Sequence, residues 1–281
     1  MWGRTLRSIV DSLERWVVPD PDREVEFIPL FGELPVKRSS KLYEEAYRCS
    51  ATTLAADLEE IFKGRVTRFR SLSIPACAPT HFLREFGDQD GLDIVRGFIE
   101  SVPNYREIFI DDPLVEKLDT IISSVGDLEH GWLGWLESEE PIGPILNDEE
   151  RRQLLITGVI GELAGRYVTK DKVDGFPPSS TIFKVNSRVF GPTPAHFREI
   201  ARKGREDKNN VIGGVILVAA EPRKAETVHS VVINNCVTDL IISKGVADEL
   251  KKILGIEEEK KEKKESHIVY QRCWDPEGLE A

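Results

Sequence analysis

The amino-acid sequence predicts an α/β fold with a mostly parallel sheet and helices on both faces. The main reason is a pair of apolar, β-branched runs at 211–220 and 237–243, each followed directly by an amphipathic helical segment. Near-continuous apolar strands of this kind are buried on both faces, which is typical of parallel sheets covered by helices. Ligands bind such sheets beyond the carboxyl ends of the strands, so the turn at 221–224 is the first candidate site.

The first part of the chain is predicted to begin with a helix and then to alternate strands and helices. Apolar positions at helical spacing place the first helix at 4–16. Pro19 ends it, because proline has no amide hydrogen to donate. The patterns that follow predict a strand at 25–30, a long helix at 42–62, a strand at 66–74 and helical segments over 81–117, with Pro103 in a first helical turn.

The middle of the chain is predicted to contain a buried strand at 118–126 and a loop at 128–145 that is rich in Trp, Gly and Pro. Asn147 is expected to cap a helix with an acidic first turn, and a strand follows over 161–168. After residue 255 comes a mixed-charge run without apolar periodicity. We therefore expect one domain over 1–255 and a charged tail over 256–281.

Composition limits the classes of function. The 281 residues are 40% hydrophobic and 31% charged, and the net charge of −11 disfavours a direct grip on the nucleic-acid backbone. No apolar stretch is long enough to span a bilayer. The four cysteines form no CxxC pair, and no GxxxxGK[ST] or GxGxxG motif is present. These patterns predict a cytoplasmic protein with reduced thiols and with neither a cofactor nor a metal ion.

Several charged residues at predicted element ends are candidate ligands, and each has a structural alternative. The Gly3-Arg4-Thr5 segment opens a helix, where backbone amides can bind phosphate, although Thr5 acting as a simple cap is the more common arrangement. Arg70 and Arg166 suit bidentate phosphate contact, and each can instead pair with a carboxylate. Lys224 begins a helix, so it either shares an anion with the amides or points into solvent.

Four more polar residues, Asp127, Glu162, Asn186 and Arg188, fall near predicted strand or helix ends. Carboxylate and amide groups there can bind sugar hydroxyl groups, although any surface loop contains such residues. The histidines have no Ser/Asp or Cys partner at a recognisable spacing, so nothing in the sequence predicts a nucleophilic triad.

Seven short motifs follow one another along the chain: Trp2-Gly-Arg-Thr-Leu6, Phe27-Ile-Pro-Leu-Phe-Gly32, Arg70-Ser-Leu-Ser-Ile-Pro-Ala76, Thr120 to Asp127, Gly161-Glu-Leu-Ala-Gly-Arg-Tyr167, Asn186-Ser-Arg-Val-Phe-Gly191 and Lys224-Ala225. Taken in this order, the set resembles the sugar-binding effector domain of the SorC family of bacterial transcriptional regulators. The resemblance covers roughly residues 2–254. It implies a Rossmann-like, doubly wound domain related to sugar-phosphate isomerases and glucosamine-phosphate deaminases, in which a bound sugar phosphate retunes a DNA-binding oligomer.

The resemblance implies a ligand shell in which Arg70 and Lys224 bind the phosphate. The full set of ligand-binding candidates is Gly3, Arg4, Thr5, Gly32, Glu33, Arg70, Thr80, Asp127, Glu162, Asn186 and Lys224. Two departures from the family pattern add acids, Glu33 beside Gly32 and Glu221 after Ala219-Ala220, and they disfavour a bisphosphate. A third places Ser243-Lys244 where the family has Thr-Asp.

Three hypotheses of function follow. The first is a module that senses a sugar or sugar phosphate and responds through contacts in a homo-oligomer, a dimer or a tetramer. The family's helix-turn-helix domain does not precede these motifs, so the module either belongs to a longer regulator or is a stand-alone relative without direct nucleic-acid or membrane binding. The second is an isomerase- or deaminase-type enzyme with Asp127 or Glu162 as general base. The third is a scaffold with a closed pocket, in which Glu33 and Glu221 pair internally with Arg70 and Lys224.

Overall fold

The β-branched runs form the centre of a sheet in a computed structural model, which describes residues 3–13, 15, 25–33, 43–62, 70–78, 83, 85, 87–128, 146–207, 213–256 and 268–272. The strand order among these residues is β3-β2-β1-β4-β5-β6. The strands are β1 (Thr120–Asp127), β2 (Val159–Leu163), β3 (Arg166–Thr169), β4 (Gly214–Ala219), β5 (Asp239–Ser243) and β6 (Ile268–Arg272).

The three central strands β1, β4 and β5 are parallel, with Ser124 opposite Val218 in the register of β1 and β4. The flanks are antiparallel: β2 and β3 form a hairpin beside β1, and β6 adds to the far side of β5. The predicted α/β fold is therefore confirmed, and both predicted strand–helix units near the carboxyl end are present. The parallel strands lie at the centre of the sheet, where helices cover both faces.

Helices cover the sheet on both faces. Their bounds are α1 (Arg4–Leu13), α2 (Tyr43–Arg48), α3 (Ala51–Ile61), α4 (Asp88–Ser101), α5 (Pro103–Phe109), α6 (Asp148–Ile156), α7 (Thr181–Asn186), α8 (Pro194–Glu206), α9 (Ala225–Ile233) and α10 (Lys244–Leu254), with 3-10 turns at Leu114–Glu116 and Pro222–Lys224. Val218 of β4 packs with Leu6 and Leu54 of α1 and α3. Its neighbour Leu217 points to the other face and belongs to the main core, which includes Phe197 of α8. This alternation of a strand between two helical layers defines the doubly wound arrangement.

Several predicted elements are confirmed in place. Residues 118–126 correspond to β1, and Pro103 lies in the first turn of α5. Asn147 caps α6 through a capping box, in which its side chain accepts from the Glu150 amide and the Glu150 side chain accepts from the Asn147 amide. The loop predicted at 128–145 lies almost entirely outside the described residues.

The predicted strand at 25–30 is wrong, and so is the described part of the strand at 66–74. Residues 25–33 and 70–78 run side by side without a ladder, joined by a single parallel bridge between Glu33 and Pro75. The Ile74 amide donates to the Leu72 carbonyl, and this local turn interrupts any regular pairing. Pro29 and Pro75 also lack the amide hydrogen that a continuous ladder needs.

Two further predictions needed correction. The long helix at 42–62 is two helices, because the Ser50 hydroxyl accepts from the Thr53 amide and begins α3 anew. The single strand at 161–168 is a hairpin, because Ala164 and Gly165 both have positive φ angles, 52° and 73°. A two-residue turn of that kind reverses the chain.

The carboxyl-terminal segment supplies the strand β6, in which Tyr270 lies opposite Ile241 of β5. The predicted tail over 256–281 therefore contributes to the sheet, and the boundary at residue 255 stays a prediction. Among the described residues, every helix is too short or too polar to cross a bilayer.

Candidate functional site

The carboxyl ends of β1 and β4 lie at the same edge of the sheet, because the two strands are parallel and paired. β1 ends at Asp127, and β4 ends at Ala219, two residues before Glu221. Glu221 begins the 3-10 turn that leads into α9. The sequence placed the first candidate site at this turn, and the structure brings Asp127 beside it.

Four side chains at this edge form a chain of ion pairs. The Arg223 Nε donates to Asp127 Oδ2 over 2.8 Å, and the second Arg223 nitrogen lies 2.9 Å from Glu221 Oε2. The same Glu221 oxygen lies 3.4 Å from Lys224 Nζ. The hydrogen bond to Asp127 raises the pKa of Arg223. Lys224 is only 8% exposed, so the alternative in which it points into solvent is wrong, and Glu221 supplies the negative charge beside this cation at the helix start.

Glu162 lies beside the end of β1, on the face of the sheet opposite Asp127. The register pairs Glu162 with Gly126 and Gly161 with Asp127, and paired residues point to the same face. A Cβ atom on Gly126 would lie 2.5 Å from Glu162 Oε1, so only glycine lets this carboxylate lie against β1. Asp127 and Glu162 are 6% and 8% exposed, which makes both of them buried carboxylates. The structure thus places both predicted residues at the end of β1, one on each face of the sheet.

The start of α1 lies on the same face as Glu162. A Cβ on Gly3 would lie 3.4 Å from Ser124 Oγ of β1, and the Gly3 amide donates to the Cys49 carbonyl over 3.1 Å. The Gly3 carbonyl accepts the first helical bond, from the Arg7 amide, so Gly3 rather than Thr5 holds the cap position. Arg4 is exposed, with its Nε 3.8 Å from Glu45.

The turn at Gly32 and Glu33 lies beside the start of α3. A Cβ on Gly32 would lie 2.4 Å from the Ile74 carbonyl oxygen, which explains the glycine. The Glu33 carboxylate accepts hydrogen bonds from the Thr52 and Ser50 hydroxyls. Burial raises the pKa of Glu33, and the two hydroxyl bonds oppose that rise. Ser50 follows Cys49, the residue that binds Gly3, so Glu33 and the start of α1 are neighbours.

Arg70 has a different set of partners. It is 8% exposed and forms ion pairs with Glu26 and with Glu107, the latter at 3.2 Å. Pairing with a carboxylate was the structural alternative predicted for this arginine. Arg70 and Lys224 thus pair with different acids, Arg70 with Glu26 and Glu107 and Lys224 with Glu221. The scaffold hypothesis predicted that Glu33 and Glu221 would pair with Arg70 and Lys224. Glu221 does pair with Lys224, whereas the described partners of Glu33 are hydroxyl groups, so one of the two predicted pairings is present. Thr80 lies outside the described residues.

Asn186 connects two elements through its amide group. Its Oδ1 accepts from the Tyr167 amide over 2.7 Å, and its Nδ2 donates to the Tyr167 carbonyl over 3.0 Å. Arg166, in the same hairpin, donates to the backbone carbonyls of Asn186, Val189, Gly191 and Pro192. Burial lowers the pKa of Arg166 to about 10. The sequence predicted a phosphate or a carboxylate as the partner of Arg166. Its described partners are backbone carbonyl groups instead.

Arg223 is a residue of this site that is not among the candidates predicted from the sequence, although it stands next to Lys224 in the first candidate turn. Its importance depends on Asp127, which is 96 residues away in sequence. No local pattern marks such a pair. One feature of the sequence did indicate Arg223, namely its position just after the carboxyl end of a predicted parallel strand, where ligands bind.

The chemistry available at this edge is that of carboxylates, two cations and backbone groups. Among the described residues, no cluster of three His, Cys, Asp or Glu side chains could hold a metal ion. Cys49, Cys77 and Cys236 are free and buried, and burial raises the pKa of Cys236 to about 11, so this thiol is a poor nucleophile at neutral pH. Carboxylate oxygens accept hydrogen bonds from hydroxyl groups, which suits a polyhydroxylated ligand.

The order of the strands and the helices on both faces define a Rossmann-like α/β domain. No protein-family model matches the sequence, and no curated protein matches it. Solved structures do resemble it, among them a domain of a possible sugar-binding transcriptional regulator from Arthrobacter aurescens TC1, at 17% identity and a TM-score of 0.57, covering 89% of this chain and 75% of that one.

Two other solved structures show the same likeness. A DeoR family transcriptional regulator from Listeria monocytogenes is 16% identical with a TM-score of 0.56, covering 89% of this chain and 76% of that one. The full-length sorbitol operon regulator SorC from Klebsiella pneumoniae is 16% identical with a TM-score of 0.52, and 89% of this chain matches 63% of that regulator. At these identities the likeness establishes the fold: the chain has the fold of the sugar-binding domains of SorC- and DeoR-type regulators.

Proposed function

We propose that this chain is the effector-sensing module of a SorC-type transcriptional regulator or of a stand-alone relative, and that it binds a sugar-type ligand at the carboxyl edge of β1 and β4. The observation that carries the proposal is that two buried carboxylates, Asp127 and Glu162, lie at the end of β1 on opposite faces of the sheet, with Asp127 bonded to Arg223 of the 221–224 turn. In open α/β sheets this edge is where ligands bind. The shared fold with sugar-binding regulator domains supports the same class of ligand.

The response to the ligand would pass through contacts between copies of the chain, in a dimer or a tetramer. Ile94 and Phe98, one turn apart on α4, are exposed apolar side chains that offer such a contact. We place the protein in the cytoplasm, because three free, buried thiols suit a reducing compartment. Light scattering with and without ligand tests the oligomer, and a monomer in both states would contradict this part of the proposal.

The enzyme hypothesis has weaker support from the site. A general base must reach the carbon acid of its substrate, and the Asp127 carboxylate is held by a hydrogen bond from Arg223. Glu162 is the other candidate base of this hypothesis. If solvent deuterium enters a bound ketose phosphate, and if Glu162→Gln abolishes that exchange while binding persists, the enzyme hypothesis replaces the sensing module.

Calorimetry and thermal shift against a panel of free sugars, polyols and sugar phosphates test the proposal. We expect at least one compound to bind at or below millimolar concentration. Glu162→Gln should weaken binding of that compound by roughly tenfold or more, because a charged hydrogen-bond acceptor is lost. Glu226→Gln, an exposed position on α9, is the matched control and should bind normally. Absence of binding across the panel would contradict the proposed function.

A further inference from the structure

We propose that the ligand is an uncharged sugar or polyol, bound in preference to its phosphorylated form. This inference rests on the proposed function and specifies the ligand class of the same site. Acids and bases are balanced in charge at the carboxyl edge, as the ion pairs there and the position of Glu162 show.

The cations at the edge are already matched by acids. Asp127, Arg223, Glu221 and Lys224 alternate in sign along one chain of contacts of 2.8, 2.9 and 3.4 Å. A phosphate group would need these cations, and it would have to displace a carboxylate from each pair. Displacement separates the buried Asp127 carboxylate from the Arg223 guanidinium, and the loss of such a pair is costly in a desolvated site.

A further carboxylate lies where an anion would approach the start of α1. Gly3 contacts β1 at Ser124, and Glu162 lies against Gly126 on the same face, two residues further along the strand. Two residues of a strand span about 7 Å, so Glu162 lies on the same face as the amino-terminal end of α1 and about that far along the strand from it. An anion that bound at the start of α1 would therefore have this carboxylate as a neighbour of like charge.

Arg70, the other residue that the resemblance implies as a phosphate partner, is also paired with acids. Arg70 pairs with two carboxylates, Glu26 and Glu107, so this group of three carries a net negative charge. The Glu33 carboxyl group adds another acid beside the start of α1, bound to the Ser50 and Thr52 hydroxyls. At each described position where the resemblance implies a phosphate partner, the acids equal or outnumber the bases.

An uncharged polyol suits these groups better than a dianion. Its hydroxyl groups donate to carboxylate oxygens and accept from Arg223 or Lys224 without breaking the ion pairs. A phosphate dianion would add two like charges close to Glu162 in a partly desolvated edge, and like charges repel strongly there. The site should therefore discriminate through charge repulsion as well as through attraction.

Calorimetry on matched pairs tests this selectivity: several free pentoses, hexoses and hexitols, each beside its own monophosphate. We expect the free compound to bind at least roughly tenfold more tightly than its phosphate, and inorganic phosphate to compete weakly or not at all. Tighter binding of the phosphate would overturn this inference and leave the proposed function standing. Binding of neither form would overturn the proposed function itself.

A charge variant checks the cause. Glu221→Gln removes the acid that pairs with both Arg223 and Lys224, and its side chain is 41% exposed, so the fold should tolerate the change. We expect the ratio of phosphate affinity to free-sugar affinity to rise roughly tenfold. Glu206→Gln, which removes the same charge at the end of α8 near the amino end of β4, should leave the ratio unchanged. An unchanged ratio in folded Glu221→Gln would contradict the charge argument.

Discussion

Burial and partners decide what a single charged residue of this protein can do. Lys224 and Arg70 both look like phosphate ligands by residue type, yet each is buried and paired with carboxylates. Arg223 is less buried, and it is the residue that joins Asp127 to Glu221. A buried charge needs a partner, so the position of the acids decides what the bases can do.

Glu33→Gln should change how stability depends on pH. Burial raises the pKa of Glu33 above its ordinary value of 4.5, so the unfolded chain ionises at lower pH than the folded protein. Below the unfolded pKa both states are protonated and this residue costs nothing. As the pH rises through the folded pKa, the cost of the buried carboxylate appears. We therefore expect the melting temperature of Glu33→Gln, relative to wild type, to increase from about pH 4 to pH 7.

The measurement is thermal unfolding at a series of pH values. Glu60→Gln, at an exposed position of α3, is the control, and its difference from wild type should stay nearly constant. A difference for Glu33→Gln that stays constant or shrinks with rising pH would show that burial does not control this group.

Gly126→Ala should affect ligand binding more than folding. The new Cβ would lie within 2.5–2.8 Å of three atoms of the Glu162 side chain, which must move away from β1. We expect ligand affinity to fall by roughly tenfold or more while the fold persists. The control is Gly97→Ala on α4, where a Cβ meets nothing within 4 Å and where alanine should stabilise the helix by about 1 kcal/mol. Unchanged affinity in Gly126→Ala would mean that Glu162 lies outside the binding site.

At the scale of elements, Arg166 ties the β2–β3 hairpin to the segment after α7. The hairpin carries Glu162, and the segment ends at Gly191, where a Cβ would lie 3.1 Å from both the Leu30 carbonyl and the Phe31 ring. Arg166 therefore joins the hairpin to the segment that packs against Leu30 and Phe31, just before the Gly32 turn. Its planar group of donors suits several carbonyls at once, which a lysine ammonium cannot reproduce.

Arg166→Lys should destabilise the protein by about 2–4 kcal/mol, because several buried carbonyl groups lose their donors. Chemical denaturation measures the free energy of unfolding. Arg152→Lys is the matched control: Arg152 pairs with Glu149 on the surface of α6, and this change should stay within about 0.5 kcal/mol. Equal effects of the two substitutions would refute a structural role for Arg166.

At the scale of the whole molecule, the segment after residue 256 completes the sheet. β6 pairs with β5 along Asp239–Ser243, and without it β5 would be an open edge. Open edges expose unpaired backbone groups and favour association between chains. The charged tail expected from the sequence thus contributes β6 to the described part of the sheet.

Truncation after Ile256 should lower the melting temperature by about 5 °C and increase association, because five residues of strand pairing are lost and β5 is exposed. Truncation after Arg272 retains β6 and serves as the control. The readouts are thermal unfolding and light scattering. If the shorter chain matches the control in both, the predicted domain over 1–255 is complete without β6.

Much of the fold was accessible from local patterns. The strand–helix units at 214–233 and 239–254, the capped start of α6 and the helix after Pro103 depend on periodicity and capping, which involve residues close in sequence. Residues 25–30, wrongly predicted as a strand, are as apolar as a strand but do not pair in a ladder with another segment. Pairing between distant segments is not a local property.

The sequence by itself determined the α/β class, the order of the main elements and the edge at which Asp127 and the 221–224 turn are found. These follow from hydrophobic periodicity and from the rule that parallel strands end together. Only the tertiary structure decided how the charges combine: Arg223 with Asp127, Lys224 with Glu221, Arg70 with Glu107, and Glu162 against Gly126. The physical reason is that charge pairing acts over a few ångströms, between residues that only folding brings within reach.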